Sequence, residues 1–214
     1  PSRQIRVQLS DGDGGAAQPV VVTVNVTAED DGVMAYGEET QVNTYIDGVQ
    51  TRQDIATFSD GSYIIVWDSN QDSDGSLGVF AQRYDVNGVS IGSEFKVNTT
   101  ESFSQWDPSV AALNDDSFVI TWTDSSGIDT SSWAVVGQRF DSVGAAVGGE
   151  FVVNTTTSSS QHESSVASLS GGGFVVAWRD DSGNNDSCVG VKAQRYDASG
   201  NKLGAEFVVN STIL

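Results

Sequence analysis

The sequence predicts an all-β chain built as three tandem, four-stranded, blade-like repeats of the β-propeller kind, each about 56 residues long. Three markers share one period. Trp67, Trp122 and Trp178 stand 55 and 56 residues apart. The tetrads Gln82-Arg83-Tyr84-Asp85, Gln138-Arg139-Phe140-Asp141 and Gln194-Arg195-Tyr196-Asp197 stand 56 and 56 apart. The Val-Asn pairs ending at Asn43, Asn98, Asn154 and Asn210 stand 55, 56 and 56 apart. No window carries a helical period, and Gly and Ser punctuate the chain about every ten residues.

The copies run over 37–92, 93–148 and 149–204, and a fourth begins at 205–214. Copy three shows the strands most clearly. Glu150–Asn154 is short and rich in β-formers, as is its counterpart Glu94–Asn98. Ser165–Leu169 follows, and Gly171-Gly172-Gly173 turns the chain into Phe174–Trp178. After a polar loop, Val189–Tyr196 forms the last strand, and Asp197-Ala198-Ser199-Gly200 leads onward. Four strands in a unit of this length is the pattern of a propeller blade. Propellers close with four to eight blades, so three imply a longer array, blades pooled between chains, or an open stack. The strand at Glu206–Asn210 is expected to pair with the first blade or with another chain. The Asp60-Gly61 turn, like Gly171-Gly172, supports a tight hairpin. The repeated Arg is expected to pair with a repeated acid such as Asp85.

Residues 1–36 do not match the repeat and read as a hairpin and linker. Ile5–Leu9 alternates like a strand, Ser10–Gly15 is a turn cluster, and Val20–Thr27 places its valines on one face. A lone hairpin is marginal in water, so its edges need a neighbouring domain or an identical subunit. The opening on Pro1 reads as a mature product or an excised piece.

This hairpin, through Val7–Gly15 and Val22–Asp30, resembles the last two strands of bacterial cadherin-like domains. The repeats, through Phe174–Trp178, Ala193–Asp197 and Glu206–Asn210, resemble the propeller-like units of bacterial adhesins of the RTX, or hemolysin-type calcium-binding, kind. The resemblance implies a very large, secreted, calcium-rich cell-surface protein.

Ten Lys+Arg against twenty-nine Asp+Glu give a net charge of −19. That balance argues against nucleic acid, whose phosphates attract basic patches, and against an anionic membrane surface. It suits divalent cations, cationic partners or simple solubility. No stretch approaches the ~20 apolar residues of a membrane span. Cys188, the one cysteine, has no internal partner and reads as buried and inert.

Calcium is the candidate cofactor. Asn70, Asp72 and Asp74 offer oxygens at alternate positions ahead of Gly75, which permits a sharp bend. Position twelve of an EF-hand loop would be Glu and is Ala81. The other repeats offer looser sets, Asp124 with Asp129 and Asp180, Asp181 with Asp186. Asp11 and Asp13 form a second candidate, and Asp30 and Asp31 a third. Each acidic turn has an equally simple reading as a solvated turn.

An enzyme is not expected. His162, the one histidine, occupies the slot that holds Trp106 one copy earlier. Gly88-Val89-Ser90-Ile91-Gly92 matches a nucleophile elbow in letters, but no helix follows it. Zinc would need more His or Cys. The likeness of the hairpin turns to sialidase-type Asp boxes is one of structure, not of activity. Five Asn-x-Ser/Thr triplets begin at Asn25, Asn98, Asn154, Asn185 and Asn210; three recur with the repeat, so a turn requirement accounts for those. The first functional expectation is therefore a non-catalytic structural or adhesive module of a secreted surface protein. The alternatives are a self-assembling filament or sheath subunit using strand donation, and a carbohydrate-binding propeller with Trp106 and Trp133 as platforms for a glycan.

Overall fold

The computed structural model describes residues 39–183 and 189–210, and its twelve strands all lie in the compact unit that spans 41–214. They form three antiparallel sheets of four strands, each a meander. Sheet one holds β1 (Gln50–Thr57), β2 (Tyr63–Ser69), β3 (Gly78–Tyr84) and β4 (Ser90–Lys96). Sheet two holds β5 (Gln105–Ala112), β6 (Phe118–Asp124), β7 (Ala134–Phe140) and β8 (Ala146–Val152). Sheet three holds β9 (Gln161–Ser168), β10 (Phe174–Asp180), β11 (Gly190–Tyr196) and β12 (Phe207–Val208). The first strands lie side by side, β1 against β5 and β5 against β9, so they form the inner edge of an open arc of blades. The all-β, propeller-like architecture is that predicted from the period.

The sheet frame differs from the sequence frame by one strand. The Glu-Phe-x-Val run closes the sheet before it rather than opening the next: Ala81 pairs with Phe95 and Gly137 with Phe151. Glu206–Asn210 therefore pairs within its own repeat and not with the first blade. It completes sheet three, Ala193 opposite Phe207 and Lys192 opposite Val208. The sequence period shows that a strand recurs, whereas its sheet is chosen by hydrogen bonds to a strand about fourteen residues away.

Packing between sheets is apolar and directional. Phe118, Ile120 and Trp122 of β6 join Ile64, Val66 and Val79 in the core between sheets one and two. Val119 and Val135 face the other way and join Val166, Phe174, Val176 and Trp178. Every residue of β6 is buried, as a strand covered on both faces requires. One cross-strand aromatic pair recurs in each sheet: Tyr63 on Tyr84, Phe118 on Phe140 and Phe174 on Tyr196, at 5.1, 4.9 and 4.5 Å between centroids. In sheets one and two the Phe of the fourth strand then reaches the next sheet. Phe95 meets Phe140 at 5.8 Å, and Phe151 meets Tyr196 at 5.6 Å. Phe207 is 46% exposed.

The tetrad has three separate tasks. Its Gln fills the bulge between third and fourth strands: Gln138 Nε2 donates to Arg139 O at 2.7 Å and Val147 O at 3.3 Å. Its Asp caps the following turn. Asp85 accepts from the Asn87 and Val89 amides, at 2.9 and 2.8 Å, which holds its pKa below the ordinary range; Gly88 takes φ +79°. The Arg does not pair with that Asp. Arg139 donates to Ser199 O and Ala198 O of the next repeat at 2.6 and 2.8 Å, and Arg83 lies over Phe58 of its own repeat and Phe118 of the next sheet, 5.2 and 6.0 Å from their centroids. With the acid occupied by its own turn, the guanidinium reaches across to the next sheet.

The Val-Asn-Thr corner joins consecutive sheets. Asn154 is 3% exposed; its Oδ1 accepts from Val135 N at 2.9 Å and its Nδ2 donates to Thr156 O and Gln161 Oε1. Asn98 does the same with Val79, Thr100 and Gln105. These amides are buried and bonded, so the repeated triplets serve the turn. The Glu of the next repeat caps the same corner: Glu150 accepts from Thr99 and Thr100, and Glu206 from Thr155 and Thr156. Burial acts to raise the Glu206 pKa, but hydrogen bonds from Thr156, Thr155 and Lys192 overcome it and lower it to about 2.

Two predictions follow from this packing. Phe151→Ala should cost about 2–3 kcal/mol in denaturant unfolding, and Phe207→Ala, in the same repeat slot with no further sheet against it among the described residues, less than about 1 kcal/mol. Because the folded pKa of Glu206 is depressed, its contribution is full above pH 4.5 and is lost as pH falls toward 2. The stability gap between wild type and Glu206→Gln should therefore shrink across that window, read from midpoints in a pH series.

Candidate functional site

A second bulge recurs in the first strand of every sheet, directly across from the repeat tryptophan. Register slips between Thr51 and Asp54, between Trp106 and Ser109, and at His162–Ser165 opposite Ala177–Arg179. The residues that absorb the slip are Arg52, Asp107 and Glu163, at φ 52°, 52° and 54°. None is glycine, and left-handed backbone is costly for such residues. A bulge re-aims a side chain that the ladder would otherwise fix. The preceding residues, Gln50, Gln105 and Gln161, repeat; the slots that follow hold Thr51-Arg52, Trp106-Asp107 and His162-Glu163. The blade needs the bulge but not these particular side chains.

Because the first strands are neighbours, the three bulges converge at one end of the inner edge. Arg52 ties sheets one and two, with Nη1 3.0 Å from Asp68 Oδ2 and Nε 2.9 Å from Asp107 Oδ1. Asp68 is fully buried and also accepts from Thr51 Oγ1 at 2.7 Å. Between sheets two and three, Trp133 meets Trp106 and His162 edge-on, at 5.3 and 5.2 Å. Trp133 is 38% exposed. His162 Nε2 lies 3.1 Å from Asp181 Oδ2, and Nδ1 lies 3.4 Å from Glu163 Oε1. Arg179 Nε holds Asp181 at 2.9 Å.

The carboxylates are pushed in opposite directions. Burial raises the Asp107 pKa; Arg52 opposes this, and Asp68 and Glu163 add to it. For Asp181, burial acts upward, but hydrogen bonds from His162 and Arg179 prevail and hold it below the ordinary range. Two carboxylates with pKa values pushed apart, beside two indole rings, suit recognition of hydroxyl-rich ligands.

Of the residues singled out in the sequence, Trp106, Trp133, His162 and Asp181 belong to this cluster. Arg52, Asp68, Asp107, Glu163 and Arg179 were not singled out. The signal that could have found them is that slots beside an invariant Gln change identity in each copy. Asn70, Asp72 and Asp74 lie elsewhere, in the loop after β2, and turn to separate partners. Asn70 Oδ1 accepts from Val49 N at 2.8 Å, Asp72 Oδ1 lies 2.5 Å from the Lys96 ammonium, and Asp74 Oδ1 accepts from Ser76 N at 2.8 Å. Asp72 lines a cavity of about 470 Å³ with Gln71, Lys96 and Glu101. Among the described residues no group of three or more His, Cys, Asp or Glu is gathered as for a metal ion. Asp129 bonds Ser131 and Asn154, and Asp180 pairs with Lys192. Ser90 starts β4 in a hairpin between Gly88 and Gly92, with no helix after it. Asp11, Asp13, Asp30, Asp31, Asp186 and Cys188 lie outside the described residues, as does the 1–36 hairpin. Among the described residues no helix is long and apolar enough to cross a membrane.

No family model and no curated protein matches the chain. Solved structures do. The chain is similar to the Hadza microbial sialidase Hz136, with a TM-score of 0.55 and 13% identity over 75% of this chain and 37% of that one. It is also similar to an N-acetylgalactosamine deacetylase from F. plautii, crystallised with blood group B trisaccharide, with a TM-score of 0.50 and 10% identity over 73% of this chain and 51% of that one. The chain thus spans between a third and about half of these proteins, and at such identity the likeness is one of fold. It corrects the expectation that an enzyme is excluded. This all-β repeat architecture is one that carbohydrate-active enzymes carry, so a lack of helices and of local catalytic motifs rules nothing out.

The bulge strain gives a prediction. Asp107→Gly relieves a left-handed backbone while removing the carboxylate, so it should leave the melting temperature within about 2 °C of wild type, whereas Asp68→Ala, which strips Arg52 and Thr51 of a buried partner, should lower it by about 5 °C or more.

Proposed function

We propose that these blades form the carbohydrate-recognising part of an extracellular propeller protein, with the glycan held at the inner-edge cluster of Trp106, Trp133, Asp107, His162 and Glu163. The observation that carries this reading is the set of three left-handed bulges. They occupy one repeat position, bear three different charged side chains, and are brought together beside two crossed indoles. Structure that repeats for folding carries side chains that do not repeat, which is how a pseudo-symmetric array makes an asymmetric pocket for an asymmetric ligand. The half-exposed Trp133 ring offers an apolar face for stacking on a pyranose, and the surrounding carboxylates and guanidinium groups offer hydroxyl partners. The fold shared with the sialidase and the deacetylase supports the same direction. Placement in a large surface protein of the RTX kind, beside a cadherin-like neighbour, is part of this proposal and rests on the residue patterns of the repeats and the amino-terminal hairpin.

The test is a glycan array with the wild-type chain, followed by titration calorimetry on the best hit. Trp133→Ala and Asp107→Asn should each weaken binding about tenfold or more, close to 1.4 kcal/mol, with folding unchanged. A silent array, or full affinity in both variants, would sink the reading. Product analysis of the same mixtures reads hydrolysis or deacetylation directly.

A further inference from the structure

Sheet three buries a cation of its own. The Lys192 ammonium comes off β11 and lies 3.1 Å from Asp180 Oδ2, 3.2 Å from Glu206 Oε1 and 2.6 Å from Thr156 Oγ1. Lys192 is 5% exposed and Asp180 3%. The ion pair is buried, and its remaining lone pairs are met by Ser182 and the Thr155–Thr156 corner.

One repeat earlier the same oxygens are present without the ammonium. Lys192 faces Trp178 across the sheet, and Val136 faces Trp122 in the equivalent place. Asp124 stands where Asp180 stands, Glu150 where Glu206 stands, and Thr100 where Thr156 stands. Asp124 is 1% exposed. Its Oδ1 accepts from the Ser126 amide and hydroxyl at 2.7 and 2.5 Å. Its Oδ2 is buried without a hydrogen-bond partner. Glu150 Oε2 accepts from Thr100 Oγ1 at 2.8 Å. Sheet one solves the position in a third way: Ser69 replaces the aspartate, and Glu94 Oε1 accepts from Gln71 Nε2 at 2.6 Å. Sheet two therefore keeps both carboxylates and supplies no ammonium.

We propose that sheet two binds a small monovalent cation in the place of the Lys192 ammonium, held by Asp124 Oδ2, Glu150 Oε2 and Thr100 Oγ1. A buried carboxylate oxygen without a partner is costly, and a cation removes that cost. Val136 carries no ammonium, so the protein itself places no cation beside these carboxylates. Calcium wants six to eight oxygens at 2.3–2.6 Å, whereas this place offers three side-chain oxygens and its counterpart in sheet three holds an ammonium at 2.6–3.2 Å, which suits a larger, singly charged ion. Burial, with Glu150 nearby, raises the Asp124 pKa against the hydrogen bonds from Ser126 and Gln105, so a proton is the competitor for this place.

The experiment is a melting series at neutral pH and constant ionic strength in tetramethylammonium, sodium, potassium, ammonium and calcium chlorides. Tetramethylammonium is too large to enter. At about tenfold over its Kd, potassium or ammonium should raise the melting temperature by about 4 °C. Asp124→Asn should abolish that response. Val136→Lys brings its own ammonium, so it should melt higher in tetramethylammonium and gain nothing further from potassium. Should Val136→Lys not fold, the wild-type and Asp124→Asn series still decides. One melting temperature for wild type in every salt would overturn the proposal and leave the place to a proton. A rise with calcium alone would overturn the monovalent class.

Discussion

A buried amide pair governs how each sheet hands over to the next. Asn98 with Gln105, and Asn154 with Gln161, join the end of a fourth strand to the start of the following first strand. Each asparagine also takes the amide of its own third strand, at Val79 or Val135. One side chain thus fixes the end of one blade, the loop that leaves it, and the residue at which the next blade begins. All four partners are buried, so the geometry tolerates little drift, and an unpaired amide there would be costly. The period of the sequence is largely the period of this joint.

The joint also sets where variation is allowed. The glutamine that receives the asparagine sits one residue before the bulge slots, Thr51-Arg52, Trp106-Asp107 and His162-Glu163. A rigid repeated amide followed at once by a strained, re-aimed side chain is a scaffold with a free position at its rim. The three rims meet because first strands pack on first strands, and Arg52 and Trp133 bridge them. At the outer corner the same logic operates with charge. Glu94, Glu150 and Glu206 hold one backbone motif, while Gln71, an unmatched place, and Lys192 answer them in turn.

Much of the fold was legible because its signals are local. Strand alternation, the Asp-x-x-Gly turns after Tyr84, Phe140 and Tyr196, and the Trp, Gln-Arg and Val-Asn markers are set by side chains within a few residues of one another. The site was legible only in part. Trp106, Trp133 and His162 stood out as variable aromatic or titratable positions, but Asp107, Glu163 and Arg179 did not, being ordinary charges in an acidic chain. The loop at Asn70, Asp72 and Asp74 has alternating oxygens, yet its partners Val49 and Lys96 arrive from other strands.

The sequence alone determined that the chain is all-β, that it repeats, where most strands lie and which turns join them, since each follows from short-range periodicity and turn chemistry. Only the tertiary structure decided which sheet the Glu-Phe strand joins, that the tetrad Arg reaches the next repeat rather than its own Asp, and that three bulges converge on one edge. Those outcomes rest on hydrogen-bond register and on contacts between residues some fifty positions apart, such as Arg52 with Asp107. Register across such separations is settled by the packing of whole sheets, not by any stretch of chain.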